Sequence, residues 1–148
     1  MAAETVAMHP DVALIASMLG AWSTGGFEAA TFDASYDKYV SQAYVASYEP
    51  ASPHPMLAQH FYGKVGFKVW IDLVANHTFT TFVPRMSSNG GGEVLMHLEV
   101  GSHSKLTGAA VPPYCIMAMI KIADGKIAKW TWYGEKADGW NQIFGTKA

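Results

Sequence analysis

Six histidines are the residues of this chain most able to do metal or acid–base chemistry. A metal site needs donors brought together, by spacings such as His-x-His or His-x-x-x-His beside a third ligand, and no pair here offers that. His54 and His60 come nearest, in a proline-bearing loop. His97 and His103 share one strand face but stand roughly 20 Å apart at about 3.3 Å per residue. Nucleophilic chemistry finds no Ser-His-Asp order and no reactive-cysteine context. Phosphate chemistry finds no GxxxxGK(S/T) loop and no strand–GxGxxG–helix unit, since Gly63, Gly66 and the Gly90–Gly92 run fit neither pattern. A carboxylate becomes a general base when apolar surroundings disfavour its charged form and raise its pKa towards the working pH.

Composition narrows the class of protein further. A chain of 148 residues is one domain in size, with Met1–Pro10 a loose lead-in and 11–148 a single unit. It is 50% hydrophobic, 13% aromatic and only 15% charged, which implies apolar surface beyond a simple core: a lined cavity or a subunit interface. With a net charge of −2 and no cluster of Lys or Arg, phosphate neutralisation is unavailable, so no nucleic-acid partner is expected. The single cysteine, Cys115, excludes an internal disulfide and reads as a small buried apolar residue in a reducing, cytoplasmic setting. The apolar run Val12–Trp22 is short, is broken by Ser17 and Gly20, and has no basic residue before it, so it predicts neither a signal peptide nor a membrane span.

The elements that must position any site can be read in order. Asp11 caps a helix carrying Val12, Ile15, Ala16 and Leu19 on one face, with Met18 and Trp22 beside it. A weaker helical stretch covers Phe27 to Tyr39. A strand through Tyr44, Val45 and Tyr48 ends at Glu49-Pro50, and the prolines of residues 51–59 make a loop. Phe67, Trp70, Ile71 and Val74 define a second amphipathic helix over Gly63–Asn76, with Asn76 as its stop. Strands follow at Thr78–Met86 and, after a glycine turn, at Glu93–His103. In the latter Val94, Met96, Leu98 and Val100 alternate with polar residues, Leu95 being the exception. Pro112-Pro113 requires a bulge or a strand edge.

The strongest local signal lies between Ile116 and Glu135. An apolar run reaches Asp124-Gly125, whose residue types suit the positive φ of a tight hairpin, and Ala128, Trp130 and Trp132 then alternate with Lys129, Thr131 and Tyr133. Apart from Lys121, Ile116–Ile122 is apolar on both faces, so both faces should be covered. The pattern of apolar strand, Asp124-Gly-Lys-Ile127, aromatic strand, Glu135 and Gln142-Ile-Phe-Gly145 resembles the NTF2-like superfamily, especially its SnoaL-like polyketide-cyclase and ketosteroid-isomerase branches.

That resemblance, running from Asp11 to Gly145, implies an α+β cone: a curved antiparallel sheet wrapped around the helices, with an apolar pocket. It also implies a homodimer through the sheet face, with Cys115, Met117 and Met119 on the dimer side and Ala118, Ile120 and Ile122 on the pocket side. By family position Met18, Trp22, Trp70, Met96, Leu98, Trp130 and Trp132 converge on the pocket. Each alone reads as core; together they suit a flat or adaptable apolar ligand. The isomerase branch places a carboxylate before proline as its base, where Glu49 stands, and the cyclase branch uses a late-strand acid, where Glu135 stands. Glu135 points outward unless Gly134 bends the strand. His60 or Tyr48 would assist, His60 having a structural role as its alternative. The isomerase oxyanion donors are replaced by Met18 and about Ala118, which cannot donate. The epoxide-hydrolase branch needs Asp-Arg-Asp, and Arg85 is the one arginine. The implied function is a cofactor-free isomerase, cyclase or hydro-lyase acting on an apolar molecule. The alternatives are a non-catalytic ligand-binding protein and an interaction module with a filled cone.

Overall fold

The computed structural model describes residues 8–49 and 59–133, excluding the side chain of Glu49; Glu135 and Gln142–Gly145 lie outside the described residues. The elements run α1 (Pro10–Ser23), α2 (Phe32–Tyr39), β1 (Val40–Glu49), β2 (Phe61–Tyr62), α3 (Gly63–Val74), β3 (His77–Ser88), β4 (Glu93–Ser104), β5 (Ala110–Ala123) and β6 (Lys126–Tyr133).

Helix α1 begins one step earlier than the sequence suggests. Pro10 occupies the first helical position, where its fixed φ suits the helix and its missing N–H costs nothing. The cap therefore falls to His9, whose Nδ1 accepts from the Asp11 N–H at 3.1 Å. Asp11 lies inside the first turn rather than capping it. Helix α2 is shorter than expected, because residues 24–31 form turns that leave Phe27 buried without a helix. At the end of α3, Asn76 acts as the stop by donating from Nδ2 to the carbonyls of Asp72 and Leu73. Its buried face holds Phe67, Ile71 and Val74.

The strands form one open, curved six-stranded sheet in the order β2-β1-β6-β5-β4-β3. Every neighbouring pair is antiparallel except β1 and β6, which run parallel, so the sheet is mixed rather than wholly antiparallel. At the β5–β6 hairpin Asp124 and Gly125 have φ of 53° and 73°, the two positive values that this kind of turn requires.

Two bulges bend the sheet at the same place. Pro112-Pro113 stands opposite the single residue Gly101 of β4, and β3 carries one extra residue between Phe79 and Thr81 opposite the same stretch. Extra residues bend a strand and increase its twist. The proline bulge ends before Tyr114, so the rest of β5 keeps its alternation: Ile116, Ala118 and Ile120 are buried, while Cys115 and Met117 are exposed and Met119 half-buried. Cys115 is therefore not the buried apolar residue its strand suggested; it projects from the outer face. In β4 the inward set Val94, Met96, Leu98 and Val100 is buried and Leu95 is exposed, as the alternation predicts.

The core lies between the inner sheet face and the helices. Phe27, Phe32, Tyr36, Tyr44 and Phe67 pack ring against ring at centroid distances of 5.3 to 6.1 Å, joining α2, α3 and β1. Within α3 the Gly66 backbone sits directly against Phe61: a Cβ there would lie 2.5 Å from the Phe61 carbonyl carbon. No helix among the described residues is long and apolar enough to cross a membrane.

Candidate functional site

Between α1, α3 and the inner sheet face lies a cavity of about 70 Å³. Three of its four described lining tryptophans are Trp70 from α3, and Trp130 and Trp132 from β6. Alternation along β6 places both of its tryptophans inward. Trp132 stacks with both Trp70 (6.2 Å) and Tyr48 (6.4 Å), with interplanar angles of 23° and 16°. Met18 and Trp22 from α1, and Leu98 from β4, complete the set expected from the sequence. Met96 does not line the cavity. It shares the inner face with Leu98, but about 7 Å further along the strand it is fully enclosed beside Met86 and Ala118.

A wall of aromatic rings closes one side. Trp22, Phe79 and Phe82 meet edge-to-face at 5.6, 5.8 and 5.3 Å. Phe79 and Phe82 are three residues apart and would face opposite ways on a regular strand. The extra residue in β3 turns both inward, which is why the alternation missed them. Beyond this wall lie two surface grooves of about 540 and 480 Å³ that share Trp22 and Phe79 with the cavity.

Several polar groups belong to the lining residues. The Trp70 Nε1 donates to the Tyr48 hydroxyl at 2.8 Å. His77 holds Ser102 Oγ through Nδ1 at 3.0 Å and stacks flat on Phe79 at 5.3 Å. Burial lowers its pKa from 6.5 to about 4, so the ring is neutral near pH 7. Burial also pushes the Tyr44 phenol well above its ordinary value, keeping it protonated. Trp130 Nε1 is buried and meets no acceptor among the described residues. No Lys, Arg, Asp or Glu is among the described lining residues.

His77 and Tyr114 are lining residues that the sequence reading passed over. His77 falls at the junction of the α3 stop and β3, although its alternation with Phe79 would have marked it as inward. Tyr114 directly follows the proline bulge, where parity could not be carried across.

Of the expected catalytic groups, the side chains of Tyr48 and His60 are described, and they lie apart. Tyr48 lines the cavity. His60 does not: it is exposed near the sheet edge, with Nδ1 at 3.2 Å from the Tyr62 hydroxyl and the two rings 5.8 Å apart. It precedes the short edge strand β2, which pairs with β1 and leads into α3. Glu49 is the last residue of β1, with its backbone registered against Tyr133. Arg85 is exposed on the outer face of β3. Among the described residues no group of three His, Cys, Asp or Glu side chains could hold a metal ion.

No family model and no curated protein matches the chain. Solved structures do. An NTF2-like protein of unknown function from Burkholderia pseudomallei superposes with a TM-score of 0.71 at 9% identity, over 92% of this chain and 98% of that one. A Mesorhizobium loti protein assigned as a SnoaL-like polyketide cyclase gives 0.57 at 17% identity, over 81% and 98%. An LEH-like epoxide hydrolase from M. tuberculosis gives 0.64 at 14% identity, over 95% and 89%. At these identities the likeness is one of fold.

Proposed function

The chain has the NTF2-like fold, and from that premise we propose that its cavity holds a neutral, apolar small molecule on which it acts as a SnoaL-like enzyme. The reaction is cofactor-free proton transfer, as in an isomerase, cyclase or hydro-lyase. The observation carrying this reading is the lining: three stacked or tilted tryptophans, Tyr48 and neutral His77, with no charged side chain among the described lining residues. Such a surface favours flat apolar molecules and excludes ions. Likeness to a SnoaL-like cyclase and an epoxide hydrolase supports small-molecule chemistry.

Glu49, at the end of β1 directly after the cavity residue Tyr48, is the proposed base; Glu135 is the alternative. In apolar surroundings a carboxylate gains basicity because its charged form is poorly solvated. His77 is a weaker choice, since burial has already lowered its affinity for a proton. Tyr48 would orient the substrate.

Proton abstraction can be tested before the substrate is known, by following exchange of the α-protons of cyclic ketones in heavy water by NMR. Wild type should accelerate exchange and Glu49→Gln should not, with ketone affinity preserved. Binding without exchange in wild type would instead support a non-catalytic binding protein. That second reading has its own observation: Met18 and Ala118 both face inward and neither can donate to an enolate.

We further propose a cytoplasmic homodimer through the outer sheet face, where Leu95, Met117 and Tyr133 of β4, β5 and β6 are 37%, 41% and 44% exposed. Contiguous apolar exposure of this kind favours association.

A further inference from the structure

The cavity, at about 70 Å³, is smaller than the flat cyclic molecules proposed for it; an apolar cavity that takes up benzene measures about 150 Å³. Some part of the wall has to yield when such a molecule binds, and the lining rings are not equally held. The Trp70 indole is tied to the Tyr48 hydroxyl. Trp130 and Trp132 stand on β6, which is paired along both edges, and are 4% and 6% exposed. Phe79 and Phe82 stand on β3, laddered to β4, and Phe79 also stacks on His77. Trp22 is held least. It is half-buried in the last turn of α1, and its indole N–H has no hydrogen bond among the described residues. Its ring contacts are the edge-to-face ones with Phe79 and Phe82.

Trp22 also has somewhere to go. With Phe79 it lines the cavity and both surface grooves. The groove of about 480 Å³ is largely apolar, walled by Leu19, Phe82 and Pro84. Gly20 keeps it open, since a Cβ there would meet nothing within 4 Å. A tryptophan on a helix has two ordinary χ1 wells, at about 180° and −60°, so a move from cavity to groove is a hop between rotamers.

We propose that Trp22 is the movable wall that sets the size of ligand this site accepts. A ring-sized molecule displaces the indole into the apolar groove and takes the space it leaves; a smaller one binds with Trp22 in place. This rests on the small-molecule reading above and adds the residue that governs it. The displaced ring stays against Leu19, Phe82 and Pro84, so displacement costs the edge contact with Phe79 and not the burial of the indole.

The test compares xenon, which fits without movement, with cyclohexanone, which does not, in wild type and Gly20→Leu. Position 20 is not among the cavity-lining residues, and the substitution suits a helix, yet it fills the groove into which the indole must move. The expected result is a roughly five- to tenfold loss of cyclohexanone affinity in the variant, equivalent to about 50 Å² of the indole left in water, with xenon affinity unchanged. A second measurement needs no variant. In wild type, NOEs from the Trp22 indole protons to Phe79 should fade and those to Pro84 strengthen as cyclohexanone binds, and neither should change with xenon. No loss in Gly20→Leu, equal loss of both probes, or Trp22 NOEs indifferent to bound cyclohexanone overturns the movable wall while leaving the cavity reading intact. So does a wild type that takes up xenon and refuses cyclohexanone, since the wall is then fixed. Failure of wild type to bind either probe overturns the cavity reading, and the movable wall with it.

Discussion

The Trp70 indole N–H donates to the Tyr48 hydroxyl over 2.8 Å, tying helix α3 to strand β1 at the cavity. Removing the acceptor alone leaves the donor unmet in apolar surroundings. Tyr48→Phe should therefore cost about 1–3 kcal/mol, read as a lowered denaturant midpoint. In a cycle with Trp70→Phe the two losses should be less than additive, since either change breaks the same bond. Full additivity would mean the bond contributes nothing to stability.

Gly66 gives a prediction that opposes intrinsic propensity. In an exposed helix Gly→Ala gains about 1 kcal/mol. Here an added methyl carbon would lie 2.5 Å from the Phe61 backbone, which has no flexible end to yield. Gly66→Ala should lose about 1–3 kcal/mol or more, as overpacking does. A thermal melt at or above that of wild type would show that α3 and β2 are not in the contact described.

His77 makes stability depend on pH with a definite sign. Its folded pKa of about 4 lies below the ordinary 6.5, so between these values the unfolded chain binds the extra proton. Stability from this group is complete above pH 6.5, falls as pH drops through the window, and levels off below about 4. Unfolding curves of wild type and His77→Gln should converge over that range. A constant separation would mean that His77 titrates normally.

Cys115 reports on pairing. It is exposed on the outer face beside Met117, so it should react quickly with a thiol reagent in a monomer and slowly in the proposed dimer. Leu95→Lys, a charge on the same face, should give a monomer by light scattering and restore fast labelling. Fast labelling of a wild-type species of dimer mass would move the interface elsewhere.

Most of the architecture was legible because it rests on alternation and turn chemistry. Asp124-Gly125 announced its hairpin, and Val94, Met96, Leu98 and Val100 announced the inner face of β4. Legibility failed wherever a strand gained a residue. Phe82 was hidden by the extra residue in β3, and Tyr114 by the proline bulge, because parity counted along the chain does not survive an insertion. The parallel pairing of β1 with β6 depends on contacts between distant segments and leaves no local pattern. His60 was drawn to the cavity by its closeness in sequence to α3, whereas it stands exposed ahead of the edge strand β2. The unspent Trp130 N–H could not be read at all, since a donor is known to lack an acceptor only when its neighbours are placed.

The most direct test of a ligand-holding cavity is native mass spectrometry of the freshly purified protein, with and without the ring probes cyclohexanone and methylenecyclohexane, followed by the same samples denatured. The prediction is a folded species carrying one small neutral molecule per chain, either co-purified or taken up from the probes, and released on denaturation. A folded protein that stays bare at saturating concentrations of both would contradict the account.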